Sequence, residues 1–585
     1  MNRVALIIVA TALFARAVEG STNFYVDPDW TGRKSGTQVH PFATLNKSAW
    51  QRINTALAND DVTIYFSALK ADGVTQQSRA WFVQCRRTDY TAHRLTLDGY
   101  AFYNSNETTP NWLANPDNDI SHAYLNGKVF KIIGGDNPID SSMALGWTRV
   151  DGNDFVTRNG LVYCCIESHL ASSDNEPGAG ANWQLYWDQH GTSGAPAWSS
   201  RTTYKCYPKQ NNVTLRGFEI TGTRARSDVA GDNLVWEYNY IHDVTGIGPG
   251  LLLDYTSHPD SSAAQIIARP STNLIFRNFR IERTYGEGFY LGSINPDAPA
   301  AFQLAHGNQH SHILIENFLI DHPGVNGGQG DAIDCKNGIT YLTIRLGEIR
   351  GCHEDGNGIN VPMTATNVNQ NILIERVFIH DPARDPGMNG QFGIYAATDQ
   401  SSATSLYGLN GVTIRNNIIA NCRRGIQYSG NTSPSQPATN GYIFNNTVYN
   451  TNPDSGLGVA TNVSNCIVQN NFVFGGTNPK GQIASSGVTS DYNAHDGSWT
   501  SANEGSHTLE LSATQALESV VNPNSGDFRP RTNSVLKRKA FTIPGFSDDF
   551  YQKSRESGNW TIGAVQTSGD GRAAPPGLQG GLMVQ

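Results

Sequence analysis

The chain has 585 residues, enough to bury a large core and to hold more than one domain. Its net charge of -9 excludes nucleic acid or an anionic membrane surface as the main electrostatic partner. Fifty-nine glycines beside only 16% charged residues point to a turn-rich all-β protein.

In chain order, Met1-Asn2-Arg3 precedes the apolar run Val4 to Ala15, and small residues follow around Ala17 to Ser21. Residues 1–20 are therefore expected to be a signal peptide, which predicts a soluble, secreted protein, extracellular or periplasmic. The run is too short to span a bilayer and no second one follows, so no membrane insertion is expected, and a monomer is. Cys85, Cys164, Cys165, Cys206, Cys335, Cys352, Cys422 and Cys466 are too few for a disulfide scaffold, and no CxxC pair signals zinc.

Residues 21–145 read as an N-terminal cap and the first coils of a solenoid. Asn23 to Val26 is a strand, Asp27 to His40 a turn-rich loop, and Ala49 to Ala58 a helix with Trp50, Ile53 and Leu57 on one face. With Pro41-Phe42-Ala43-Thr44-Leu45 between them, this order resembles the cap of exported right-handed β-helix proteins. Such a stack needs a cap, because its first coil otherwise exposes an apolar end and open strand edges. Residues 146–205 crowd Tyr163, Trp183, Tyr186, Trp187, Trp198 and Tyr204 among Gly, Ser and Pro. This inserted stretch resembles small aromatic-rich modules of phage-tail and chitin-binding type. Its rings either stack on sugars or form the module's own core.

The body, residues 206–490, repeats. The segments VTLRGFEI, LVWEYNYI, LIFRNFRI, ILIENFLI, LTIRLGEI, ILIERVFI, VTIRNNII, YIFNNTVY and CIVQNNFV recur every 21 to 40 residues. A short coil lengthened by variable loops gives that range. First and third residues are apolar and the fourth is polar, the alternation of a strand with one buried face. The fourth column begins Arg216, Glu237, Arg277, Glu316, Arg345, Glu375, Arg415, a structural ladder without like-charge neighbours. Asn278, Asn317, Asn416, Asn446 and Asn470 suit turns between strands. The predicted fold is an all-β, right-handed parallel β-helix with a cap and an inserted module. Residues 491–566 are expected to close it, and 567–585 form a Gly/Pro/Ala-rich disordered tail.

A second strand of each coil carries the candidate chemistry. In Gly330-Asp331-Ala332-Ile333-Asp334-Cys335-Lys336, alternation sends Ala332, Asp334 and Lys336 outward, while the direction of Asp331 beside Gly330 is open. Stacking by motif places Tyr290, Asn360 and Tyr395 in the Asp334 column and Asp254 in the Lys336 column. Glu287, Asp331 and Asn357 form a third column. His322, His353, Glu354, Asp355, His380 and Asp381 come from adjoining loops, and small Gly and Ala neighbours leave room for a chain. An isolated Asp-x-Lys is ordinarily a solvated ion pair worth at most about 1 kcal/mol. Carboxylates stacked in columns around a lysine need a compensating cation or substrate.

"GEGFYLGS" followed one coil later by "GDAIDCKNG" resembles the paired motif of right-handed β-helix proteins related to family 9 pectate lyases, over residues 211 to 475. The resemblance implies a polysaccharide lyase acting by β-elimination, with Lys336 as base and Tyr290 or a histidine as proton donor. It implies Ca²⁺ on Asp331, Asp334 and Glu287. From the stacking and the adjoining loops, Asp254, Asn357, Asn360, His353 and Tyr395 are expected against an extended acidic or neutral polysaccharide. The chain departs from the family in lacking a tight run of aspartates one coil before the lysine. A lysine base must be neutral, which a cation favours and bare carboxylates oppose. A glycoside hydrolase using Asp334 with Glu287 or Asp355 remains open, as do a uronate epimerase and a non-catalytic glycan-binding or adhesion protein.

Overall fold

The computed structural model describes residues 22–28, 31–43, 45, 47–67, 78–79, 83–84, 93–99, 129–134, 155–158, 161–165, 173–185, 187–192, 206–207, 211–223, 227–229, 231–245, 248–253, 271–292, 310–325, 330–336 and 338–352. It continues over 356–365, 369–380, 392–398, 407–431, 436–452, 455–460, 462–477, 480–501, 504–555, 558 and 560–566. The expected signal peptide and C-terminal tail lie outside these residues, as do Asp254, His353, Glu354, Asp355 and Asp381.

From Asn212 to Gly475 the coils turn at left-handed residues spaced five apart. Asn273, Asn278 and Arg283 have positive φ, as do His312, Asn317 and His322, then Tyr341, Leu346 and Gly351, then Asn440, Asn445 and Asn450. Asparagine tolerates this conformation better than most residues because its side chain bonds locally. Four extended residues lie between successive corners, and alternation buries two of them: Leu274 and Phe276, then Phe279 and Ile281, are fully buried. Neighbouring coils pair in parallel register, as in Leu274↔Ile313↔Leu342. The corners fold one continuous 24-stranded sheet into a first and a second face, and a 12-stranded sheet makes the third. The fold is a right-handed parallel β-helix.

The charge ladder lies on the first face as ion pairs between adjacent coils. Arg277 meets Glu237 at 2.8 Å, Arg345 meets Glu316 at 2.7 Å and Arg415 meets Glu375 at 2.6 Å. Asp98 adds a rung, 2.7 Å from Arg216. Of each Asn-Asn pair the first residue makes the corner and the second points inward. Asn446, expected at a turn, is instead fully buried. Its Oδ1 accepts from the backbone and side chain of Asn417, and its own amide donates to Asn471 Oδ1 and Ile414 O.

The helix forms over Lys47–Leu57, with Trp50, Ile53 and Leu57 buried as the spacing requires. Phe155–Arg158, Leu161–Cys165 and Trp187–Thr192 form a separate antiparallel sheet. It is inserted between coil strands Phe130–Gly134 and Cys206–Tyr207. There Tyr163 is buried, edge-on to Trp183 at 5.3 Å, so these two rings serve the module's own packing. The segment after Leu511 lies along the second face. Its Phe528, Leu536, Phe550 and Ile562 bury Phe378, Ile418 and Phe472. Arg555 is buried there and donates to Asn416 Oδ1 and to the carbonyls of Asp548, Thr561, Gly563 and Ala564.

Candidate functional site

The third face brings the chemistry-bearing residues together. Leu251–Leu253, Phe289–Leu291, Ile333–Cys335, Ile359–Asn360, Phe392–Ala397 and Arg424–Ser429 are successive parallel strands. Register aligns Leu252, Tyr290, Asp334, Asn360, Tyr395 and Gln427 in one outward column, as the motif stacking requires. Leu253, Leu291 and Ile394 point into the core. The backbone N–H of Lys336 donates to Leu291 O, which sets Lys336 beside Gly292. Gly288 and Ala332 donate to the carbonyls of Asp331 and Asn357, so Glu287, Asp331 and Asn357 form the flanking column.

Two expectations change. Ala332 is fully buried, and a Cβ on Gly288 would meet Ala332 O at 2.7 Å, so the small residues mark close backbone packing. Asp334 leaves the coil in the expected direction but is only 1% exposed, and Asp331 is 6% exposed. The Asp-x-Lys pair is thus a covered ion pair, with Lys336 Nζ 2.6 Å from Asp334 Oδ2. The same ammonium sits 5.2 Å from the centre of the Tyr290 ring, and its side chain is one-third exposed.

Asn357 and Asn360 hold the carboxylates. The backbone N–H of Asn357 donates to Asp331 Oδ1. The Asn360 amide donates to Asp331 Oδ2 at 2.6 Å and to Asp334 Oδ1 at 3.3 Å. Burial, and then the neighbouring Asp334, push the Asp331 carboxyl up to about 8. Burial works to lower the Lys336 ammonium, but Asp334 outweighs it and holds the group above its ordinary value. Burial also raises the Tyr290 phenol.

His322 and His380 do not face this column. His322 pairs with Asp321, and His380 Nε2 lies 3.1 Å from Glu348 Oε1, both along the second face. Phe392, Arg424 and Gln427 were not foreseen. The Phe392 ring packs 4.7 Å from that of Tyr395, and the Arg424 guanidinium lies over it at 4.8 Å. Extending the motif to Gly425-Ile426-Gln427 reveals the Gln427 rung from the same small–apolar–outward pattern.

The proposed calcium ligands do not fit a calcium cage. Ca²⁺ takes six to eight oxygen ligands. Here the Asp331 oxygens accept from N–H groups, and Asp334 is held by an amide and an ammonium. Among the described residues no group of three or more His, Cys, Asp or Glu side chains is arranged to hold a metal ion.

No family model and no curated protein matches the chain. Similar solved structures include XylC in complex with xylose, 11% identical with a TM-score of 0.45, covering 93% of this chain and 98% of that one. Pectate lyase Pel9A is 12% identical with a TM-score of 0.36, covering 94% and 97%. An alginate lyase from Paenibacillus sp. str. FPU-7 is 15% identical with a TM-score of 0.30, covering 49% and 76%. The likeness is one of fold. Lyases and glycoside hydrolases both occur among these matches.

Proposed function

We propose that the protein is a carbohydrate-active enzyme that cleaves glycosidic bonds of an extended polysaccharide laid along the third face. Hydrolysis at the Asp331–Asp334 pair is the reading the geometry supports best. One arrangement carries it: two buried carboxyls share the amide of Asn360, Asp334 pairs with Lys336, and burial and Asp334 together raise the Asp331 carboxyl above its ordinary range. Structural surfaces rarely hold such a costly arrangement, whereas acid–base sites need two carboxyls with separated roles. Asp331 donates its proton to the leaving glycosidic oxygen. Asp334 attacks the anomeric carbon as the carbon–oxygen bond breaks, and Asp331 then takes a proton from the water that releases the sugar.

Oxygens of both carboxyls reach one Asn360 nitrogen, which sets them closer than the roughly 6.5–9.5 Å of an inverting pair. Retention of configuration follows. Both groups are covered in the free protein, so this reading requires Lys336, the accessible member, to lift off Asp334 when a sugar enters.

β-Elimination is the second reading. Its support is that Lys336 is the one-third-exposed tip of the cluster, near the Tyr290 ring. Against it, Asp334 holds the ammonium protonated. The Ca²⁺-assisted form of this reaction would need ligands other than the three aspartate and glutamate groups named above. Export belongs to the same proposal, resting on the signal expected at residues 1–20.

A panel of neutral and uronate polysaccharides, assayed for new reducing ends and for the ultraviolet absorbance of an unsaturated sugar, tests these readings. Hydrolysis gives reducing ends without absorbance, and Asp331→Asn and Asp334→Asn each lower the rate about 100-fold or more. Absorbing products lost in Lys336→Ala would establish the lyase instead. Binding without cleavage across the panel would leave a glycan-binding protein. The mass of the mature protein checks loss of the leader.

A further inference from the structure

We infer that the Asp331–Asp334 pair works without a divalent cation, because an asparagine relay supplies the positive ends of its dipoles where a cation would sit. The relay starts at an atom whose role is unambiguous. The backbone N–H of Phe392 can only donate, and it donates to Asn357 Oδ1 at 3.0 Å. That fixes the Asn357 amide with its nitrogen turned the other way, where Nδ2 donates to Asn360 Oδ1 at 2.8 Å. This in turn fixes Asn360 with its nitrogen against both carboxyl groups. The choice between oxygen and nitrogen in each amide, ordinarily a matter of network assignment, is thereby set from the main chain.

Three of the four carboxyl oxygens accept from the Asn357 backbone N–H or the Asn360 amide, and the fourth, Asp334 Oδ2, lies 2.6 Å from the Lys336 ammonium. A calcium ion placed among them would meet amide and ammonium hydrogens rather than oxygens. Turning Asn360 to offer its oxygen would require Asn357 to turn as well and would strip Phe392 N–H of its acceptor in a buried place. The relay crosses three consecutive coils, which ties the donor to the backbone of the stack. Asn357 and Asn360 are therefore positioning residues rather than the sugar contacts expected of them.

The inference rests on the reading of this cluster as the active centre only for its bearing on activity. Its test uses the full chain and no glycan. Thermal unfolding of the wild-type protein is followed with EDTA and with Ca²⁺ up to millimolar concentration, beside Asn360→Asp, which replaces the donor by a third carboxylate. The expected result is a wild-type midpoint that does not respond to Ca²⁺ and an Asn360→Asp midpoint that rises saturably with it. A saturable rise in the wild type, lost in Asp331→Asn, would overturn the inference. An Asn360→Asp protein that folds and gains no response would overturn the role given to the relay. Should Asn360→Asp not fold, calcium titration calorimetry of the wild type decides alone, one bound ion at this cluster being the refuting result. A glycan panel without cleavage would sink the proposed function and leave these outcomes untouched.

Discussion

Burial and the neighbouring Asp334 keep the Asp331 carboxyl protonated up to about pH 8, against about 3.9 for an exposed aspartate. Its folded value lies above its unfolded value, so the folded state binds the proton more readily between those limits. The associated stability is complete below about pH 4 and is lost as pH rises to 8. The free energy of unfolding should therefore fall between pH 5 and pH 8, by up to about 1.4 kcal/mol per pH unit from this group, and Asp331→Asn should flatten that slope. Denaturant unfolding at several pH values measures it; equal slopes in the two proteins would refute the assignment. Alternation along Ile333 to Lys336 gave the direction of Asp334 and Lys336 from the sequence alone. It could not give cover, because direction is a property of one strand and burial depends on side chains of the neighbouring coils, Tyr290 and Asn360. Asp331 was ambiguous for a related reason: its place is set by the Asn357 N–H, 26 residues along the chain.

At the level of the coil, the repeat, the inward columns and the charge ladder are legible because each follows from a period of two within a strand. The corners are less so. Where a coil carries Asn-Asn, only the first residue turns, and sequence does not say which; the structure assigns Asn445 to the corner and Asn446 to the interior. Tyr341 and Leu346 occupy left-handed positions that other coils give to asparagine. A side chain branched or bulky at such a corner is strained by roughly 1–2 kcal/mol. Asn317 on the preceding rung already donates to Asn278 across coils. Leu346→Asn should extend that ladder and relieve the strain, raising stability by about 1 kcal/mol in chemical denaturation. A lowered midpoint would mean that the half-buried leucine contributes more by packing than its backbone costs.

For the whole molecule, the spacing of Trp50, Ile53 and Leu57 announced the helix Lys47–Leu57, and the crowding of aromatic residues marked the stretch that holds the antiparallel sheet. The course of residues after Leu511 was not. A closing segment was expected, but this one runs along the side of the stack, held by apolar contacts with Phe378 and Phe472 that no local pattern announces. Arg555 fastens it through five acceptors in a buried setting. Arg555→Met leaves those acceptors unanswered and should cost about 3 kcal/mol or more, with the lost cooperativity visible as early exposure of the second face in hydrogen exchange. Unchanged exchange there would show that the aromatic contacts suffice. The five-residue spacing of the corners carries a further consequence. An extra residue between two corners would invert the facing of every side chain up to the next one. Residues 100–128, between Leu95–Asp98 and Phe130–Gly134, are inserted at a corner itself, whereas from Asn212 to Gly475 the coils differ in length beyond the third corner. Those are the segments that border the third face. Over that stretch the molecule keeps its ruler and its toolkit on separate lengths of chain.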